Sequence, residues 1–246
     1  MNTKAFILTT LAGLSTLLGT IPIFFKIKTN KILVSALSFA SGVMITVSII
    51  DLIPESINYL NQTFKIVPTI LISSIFIVSG IIISMTIDKY INTKREGEIY
   101  KVGIISMIAI ILHNIPEGIA TYLSSENNFK LGLSLTIAIA LHNIPEGISI
   151  AVPLYYAKKS RGKALLYTLS SALSEPLGAI LAYLFLSKII NNNIMGILMS
   201  LVAGIMIQIS FYELLPTSLK YKNKTKTYLF LIIGILFMTI NHLIFK

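Results

Sequence analysis

Eight stretches of this chain are almost wholly apolar and about twenty residues long, the length of a helix that crosses a bilayer. They cover approximately residues 5–25, 33–54, 66–87, 102–123, 129–156, 163–186, 194–215 and 228–245. Within hydrocarbon each backbone N–H and C=O must be paired inside the protein, so segments of this length fold as helices. The expected class is an all-α integral membrane protein, a single transmembrane domain over residues 1–246 with short connections. Charged residues make up only 12% of the sequence and hydrophobic ones 54%, against about 25% charged in a soluble domain. The first run, after Lys4, reads as a membrane helix: it is long enough to span and lacks a small-x-small cleavage site. With no cysteine, disulfides, thiolate ligands and thiol redox chemistry are excluded.

The net charge of +10 does not indicate nucleic acid, because the Lys and Arg sit in short clusters between the apolar runs. Alternate connections hold 15 of the 20 basic residues, including Lys158, Lys159 and Arg161; the others hold 5. Basic connections face the cytoplasm. The expected placement is multi-pass in the cell membrane with both termini outside, and the lipid bilayer is one partner.

The polar residues inside these runs are the candidates for function, since ionisable groups at that depth are costly. His-Asn-Ile-Pro-Glu-Gly-Ile occurs twice, at 113–119 and 142–148, 29 residues apart. Each copy holds a His and a Glu at i and i+4, and an Asn three before the Glu. Those spacings put His113, Asn114 and Glu117 on one helix face and His142, Asn143 and Glu146 on another. Two such faces opposed offer imidazoles, carboxylates and amide oxygens, a set for zinc, iron(II), manganese, cobalt or cadmium rather than magnesium or calcium. Pro116 and Pro145 each remove an N–H and crowd the carbonyls of Leu112 and Leu141, so a local break in each helix is expected. Glu175, in Ser-Glu-Pro-Leu-Gly, is a third acid at membrane depth. Three carboxylates without a nearby Lys or Arg repel one another, and a bound dication is their natural partner.

A second repeat is weaker. Residues 38–56 and 200–218 align at a constant offset of 162, matching Gly42 with Gly204, Met44 with Met206, Pro54 with Pro216 and Asp51 with Glu213. They lie on helices 2 and 7, which run oppositely. Helices 1–3 and 6–8 are thus expected as an inverted repeat around helices 4 and 5, an arrangement of transporters with a midplane site.

Blander readings compete. A lone buried His is often a satisfied interhelical hydrogen bond, though two identical copies beside a third acid weaken that account. Met44 and Met206 read as packing. Asp51, Glu55 and Glu126 read as interfacial charges or as a cation-attracting vestibule. Glu213 reads as a solvated helix end or part of an exit path, and His242 as an interfacial residue unrelated to the cluster.

The paired HNxPEG helices, Glu175 in S-E-P-L-G and Asp51-Leu52-Ile53-Pro54-Glu55 together resemble the ZIP (Zrt/Irt-like) metal transporters, in particular their bacterial zinc-uptake branch. The resemblance spans essentially the whole chain. It implies a 3+2+3 helix arrangement, uptake toward the cytosol and two adjacent metal positions. His113, Glu117, His142 and Glu146, with Met44, would bind one ion. Asn114, Glu117, Asn143, Glu146 and Glu175 would bind the other, so Glu117 and Glu146 would bridge. The connection 88–101 lacks the His-rich segment of many relatives. No catalytic cofactor is implied; zinc or a similar ion is the cargo, and a second copy of the chain is a candidate partner. The alternatives are a selective metal channel and an intramembrane metal-dependent hydrolase. The hydrolase is disfavoured because HExxH is absent, and ATP-driven transport because no phosphate-binding loop is present.

Overall fold

A computed structural model describes residues 2–25, 29–91, 97–186 and 191–245. Lys26, Lys28, Lys94, Arg95, Lys188 and Lys246, part of the charge count above, lie outside the described residues. Every regular element among the described residues is helical. Among the described residues eight helices are long and apolar enough to span a bilayer: α1 Thr3–Phe24, α2 Asn30–Asn61, α3 Ile66–Tyr90, α4 Glu98–Glu126, α5 Phe129–Lys158, α6 Arg161–Leu184, α7 Asn192–Leu219 and α8 Lys224–Phe245. The chain is a multi-pass membrane protein. Helices α3 and α8 keep most of their apolar surface exposed, as lipid-facing helices do, whereas the ligand motifs lie in the interior on α4 and α5.

Close helix approach in a membrane depends on small residues, and four glycine crossings set the packing here. Gly19 of α1 meets Gly147 of α5, and Gly178 of α6 meets Gly118 of α4. Gly42 of α2 meets Gly234 of α8, and Gly204 of α7 packs on α3 near Gly80 at Ile77 and Leu201. A Cβ at Gly147 would overlap the Thr16 carbonyl, and one at Gly118 the Glu175 carbonyl. These are backbone atoms, so a rotamer change cannot relieve the clash. Gly147→Ala is expected to lose about 2–3 kcal/mol of stability by overpacking. Gly162→Ala, where an added Cβ meets nothing within 4 Å, should melt in detergent within about 0.5 kcal/mol of the parent. Equal melting temperatures for the two variants would refute the tight crossing.

Other features correspond between α2 and α7. A π-helical turn at Ser48–Leu52 interrupts α2, and one at Ser210–Leu214 interrupts α7. Each lies just before a proline, Pro54 or Pro216, which has no N–H to donate and displaces the regular i to i−4 ladder. Hydroxyl clusters also correspond: Ser56, Ser73 and Ser200 join α2, α3 and α7, while Ser218, Thr227 and Ser38 join α7, α8 and α2.

The helices that carry the motif do not break. Both α4 and α5 run as continuous α-helix through Pro116 and Pro145, contrary to the expectation from their prolines. One proline forfeits a single backbone bond, and the glycine crossings at 118 and 147 brace each helix axis beside it. The irregular backbone lies instead in the flanking helices. In α1 the α-helix ends at Ser15 and tightens to 3₁₀ geometry over Thr16–Phe24. In α6 it is interrupted at Leu173, between Arg161–Ala172 and Ser174–Leu181, three residues before Pro176.

Candidate metal site

Continuous helices keep the i, i+4 geometry of both motif copies, and their ligand faces meet. Glu117 lies between the two histidines. Its Oε1 is 2.9 Å from His142 Nε2 and its Oε2 is 3.3 Å from His113 Nε2. His113 Nε2 is also 3.5 Å from Glu146 Oε1, and the imidazole centroids are 6.2 Å apart. His113, Glu117 and His142 present ligand atoms within 4.8 Å of one another. Asn114, Asn143, Glu146 and Glu175 are fully buried, while Glu117 borders a cavity.

The flanking helices orient the amides. At the α-to-3₁₀ change the Thr16 N–H bonds Gly13, which releases the Ala12 carbonyl. Asn143 Nδ2 donates to that carbonyl at 3.0 Å and to Glu175 Oε1 at 2.7 Å. Beside the α6 interruption, the Ser171 carbonyl accepts from Asn114 Nδ2 at 3.4 Å. Both amide nitrogens are thereby engaged. Left without a hydrogen-bond partner are Asn114 Oδ1, Asn143 Oδ1, Glu117 Oε2, both Glu146 oxygens, Glu175 Oε2 and His142 Nδ1. Each buried acceptor left unpaired costs about 1–3 kcal/mol. Such a concentration of electron-pair donors is chemically complementary to a cation.

A cavity of ≈ 130 Å³ reaches Glu117 and His142 from one face of the bundle. Val47, Asp51 and Glu55 line it from α2, and Asn241, His242 and Phe245 from α8. Both termini are at that face: the Asn2 N–H bonds the Tyr122 hydroxyl near the end of α4, and Lys4 lies over Phe129. Beyond the cluster, toward the opposite face, packing is tight. Gly19 is pressed on Gly147, and Ile150, Ala151 and Leu154 are buried.

The remaining sequence candidates separate. Asp51 and Glu55 line the cavity but are not part of the His113, Glu117 and His142 group. Met44 is fully buried in the apolar core. Glu213 is near the opposite face beside Asp88, which itself pairs with Lys101 at 2.5 Å. His242 departs from the expectation of an unrelated residue, since it lines the cavity and its Nδ1 is 2.7 Å from Asp51 Oδ1. Asn241 was not singled out by the sequence either. Their α8 positions near the C-terminus gave no sign that α2 would pack beside them.

Eight membrane helices around a buried polar cluster, reached by a cavity from one face, define a polytopic membrane protein with the architecture of a transporter. The family model for ZIP zinc transporters matches residues 92–242, which include both motif copies and Glu175. A zinc transporter ZupT from Clostridium perfringens is 40% identical, covering 98% of this chain and 95% of its own length. The ZupT zinc transporters of Streptococcus mutans and Oceanobacillus iheyensis are each 38% identical, covering 98% of this chain and 97% of theirs. The chain belongs to the ZIP zinc transporter family, a family of transporters and not of enzymes, which decides against the hydrolase alternative.

Proposed function

We propose that this protein carries divalent transition-metal ions, zinc foremost, with iron, manganese, cobalt and cadmium as further candidates, across the cell membrane into the cytosol. The observation that carries this reading is the set of buried, unpartnered donor atoms on α4, α5 and α6. It forms two adjacent positions. His113, Glu117, His142 and Glu146 hold one ion, with Met44 as a further candidate ligand. Asn114, Asn143 and Glu175, with the same two glutamates, hold the other. The distances among the first four and the Asn143–Glu175 bond support this division. The donors suit a borderline ion, and rank order of affinity alone does not select among metals.

The matching glycine crossings, π turns and hydroxyl clusters support reading α1–α3 and α6–α8 as an inverted repeat around α4 and α5 within one domain over residues 1–246. With the basic connections inside and both termini outside, the cavity faces outward and the packed side faces the cytosol. Transport then requires the reverse arrangement to form as the ion leaves, as expected of inverted repeats. Asp51 and Glu55 line the approach and Glu213 the departure. If a homodimer forms, the exposed faces of α3 and α8 are where lipid and a second copy compete.

The test is uptake by the purified protein in liposomes containing a zinc-sensitive dye. Saturable entry of zinc that competing cadmium or iron slows supports the reading. No flux above protein-free liposomes would overturn it, and flux that never saturates would favour a channel.

A further inference from the structure

We propose that His242, Asn241 and Glu55, with Asp51 holding the histidine ring, form a separate binding site for a divalent transition ion at the mouth of the cavity. The proposal rests on the transport reading for its purpose but not for its chemistry.

Three observations carry it. First, the Asp51 carboxylate is 2.7 Å from His242 Nδ1. A carboxylate accepts a hydrogen bond, so the ring proton sits on Nδ1 and the lone pair on Nε2. A carboxylate behind an imidazole is the arrangement that fixes the tautomer and orientation of metal-ligating histidines. Second, Asn241 is only 3% exposed. Its Nδ2 donates to the Ala138 carbonyl at 3.0 Å and contacts Met238 Sδ at 3.6 Å, while its Oδ1 has no partner. Third, Asn241, His242, Asp51 and Glu55 line the same cavity, which continues to Glu117 and His142. One imidazole nitrogen, one amide oxygen and one carboxylate make a mixed nitrogen and oxygen set suited to zinc-like ions.

A structural latch between α2 and α8 is the competing account of the His242–Asp51 contact. The opposite face bears on it. There the π turn of α7 places Glu213 against Asp88 of α3, as the π turn of α2 places Asp51 against His242 of α8. That pair contains no imidazole, so joining these helix ends does not require one.

The discriminating variant is His242→Gln, which keeps a donor for Asp51 and removes the ring nitrogen. The background is Glu117→Ala/Glu146→Ala, in which the central cluster is disabled. With zinc alone as the probe, dialysis of the detergent-purified background protein should show one zinc equivalent retained. Adding His242→Gln should weaken that binding at least tenfold, with an unchanged melting temperature showing that the fold persists. In liposomes, His242→Gln in the otherwise intact protein should raise the zinc concentration for half-maximal uptake about tenfold, more than it lowers the maximal rate. No zinc on the background protein, or wild-type affinity with Gln at 242, would overturn the site and leave the latch. If intact protein shows no uptake while the retained equivalent is still lost with Gln, the transport reading fails and the binding site stands.

Discussion

Glu117→Ala is expected to cut zinc uptake by about 100-fold or more, with the amount of folded protein unchanged. Removing even an outer-shell partner of a metal ligand commonly costs 10- to 100-fold, and Glu117 sits nearer the centre than that. Its two oxygens face different helices, one at 2.9 Å from His142 and the other at 3.3 Å from His113. No neighbouring group can replace it, because Glu146 approaches from the other helix and its Oε1 already faces His113 Nε2 at 3.5 Å. Asn143→Ala should be milder, about tenfold, since its Oδ1 is one oxygen among several while its Nδ2 bonds mainly position Glu175. The measurement is initial uptake rate against zinc concentration in liposomes, with equilibrium binding in detergent. A Glu117→Ala rate within threefold of the parent would refute the shared-ligand arrangement.

Zinc affinity is expected to fall by about tenfold or more between pH 8 and pH 5. A metal binds His113 and His142 only through nitrogen atoms that carry no proton. The sign follows directly. Protons compete with the metal for the ligand atoms, so affinity declines as the solution acidifies. Binding should also release protons. A carrier whose two faces meet different pH values would gain a direction of release from its ligands alone. Titration calorimetry in buffers of different ionisation enthalpy reports affinity and proton release together. Affinity flat from pH 5 to pH 8 without proton release would rule the mechanism out.

The membrane class and the heart of the site were legible in the sequence because both rest on local rules. A run of about twenty apolar residues has one stable fate in hydrocarbon, and i, i+4 spacing fixes a helix face wherever the helix is later packed. The duplicated motif therefore placed His113, Glu117, His142 and Glu146 on two helix faces, which the fold brings together. The offset repeat likewise anticipated that Asp51 and Glu213 would hold matching positions, now seen in paired π turns. Other features depended on which helix lies beside which. Pro116 and Pro145 signalled breaks, yet those helices stay intact while α1 and α6 yield. A missing backbone bond only weakens a helix locally, and the glycine-lined neighbours determine whether it bends. The orientation of the two asparagines depends on carbonyls of Ala12 and Ser171, 131 and 57 residues away. The place of His242 depends on α2 meeting α8 across 191 residues. The sequence by itself determined which side chains could serve as ligands and on which helix face they stand. Tertiary packing alone decided which of their atoms were left unpaired: the distant Ala12 and Ser171 carbonyls hold the amide nitrogens of Asn143 and Asn114 and leave the two amide oxygens without a partner.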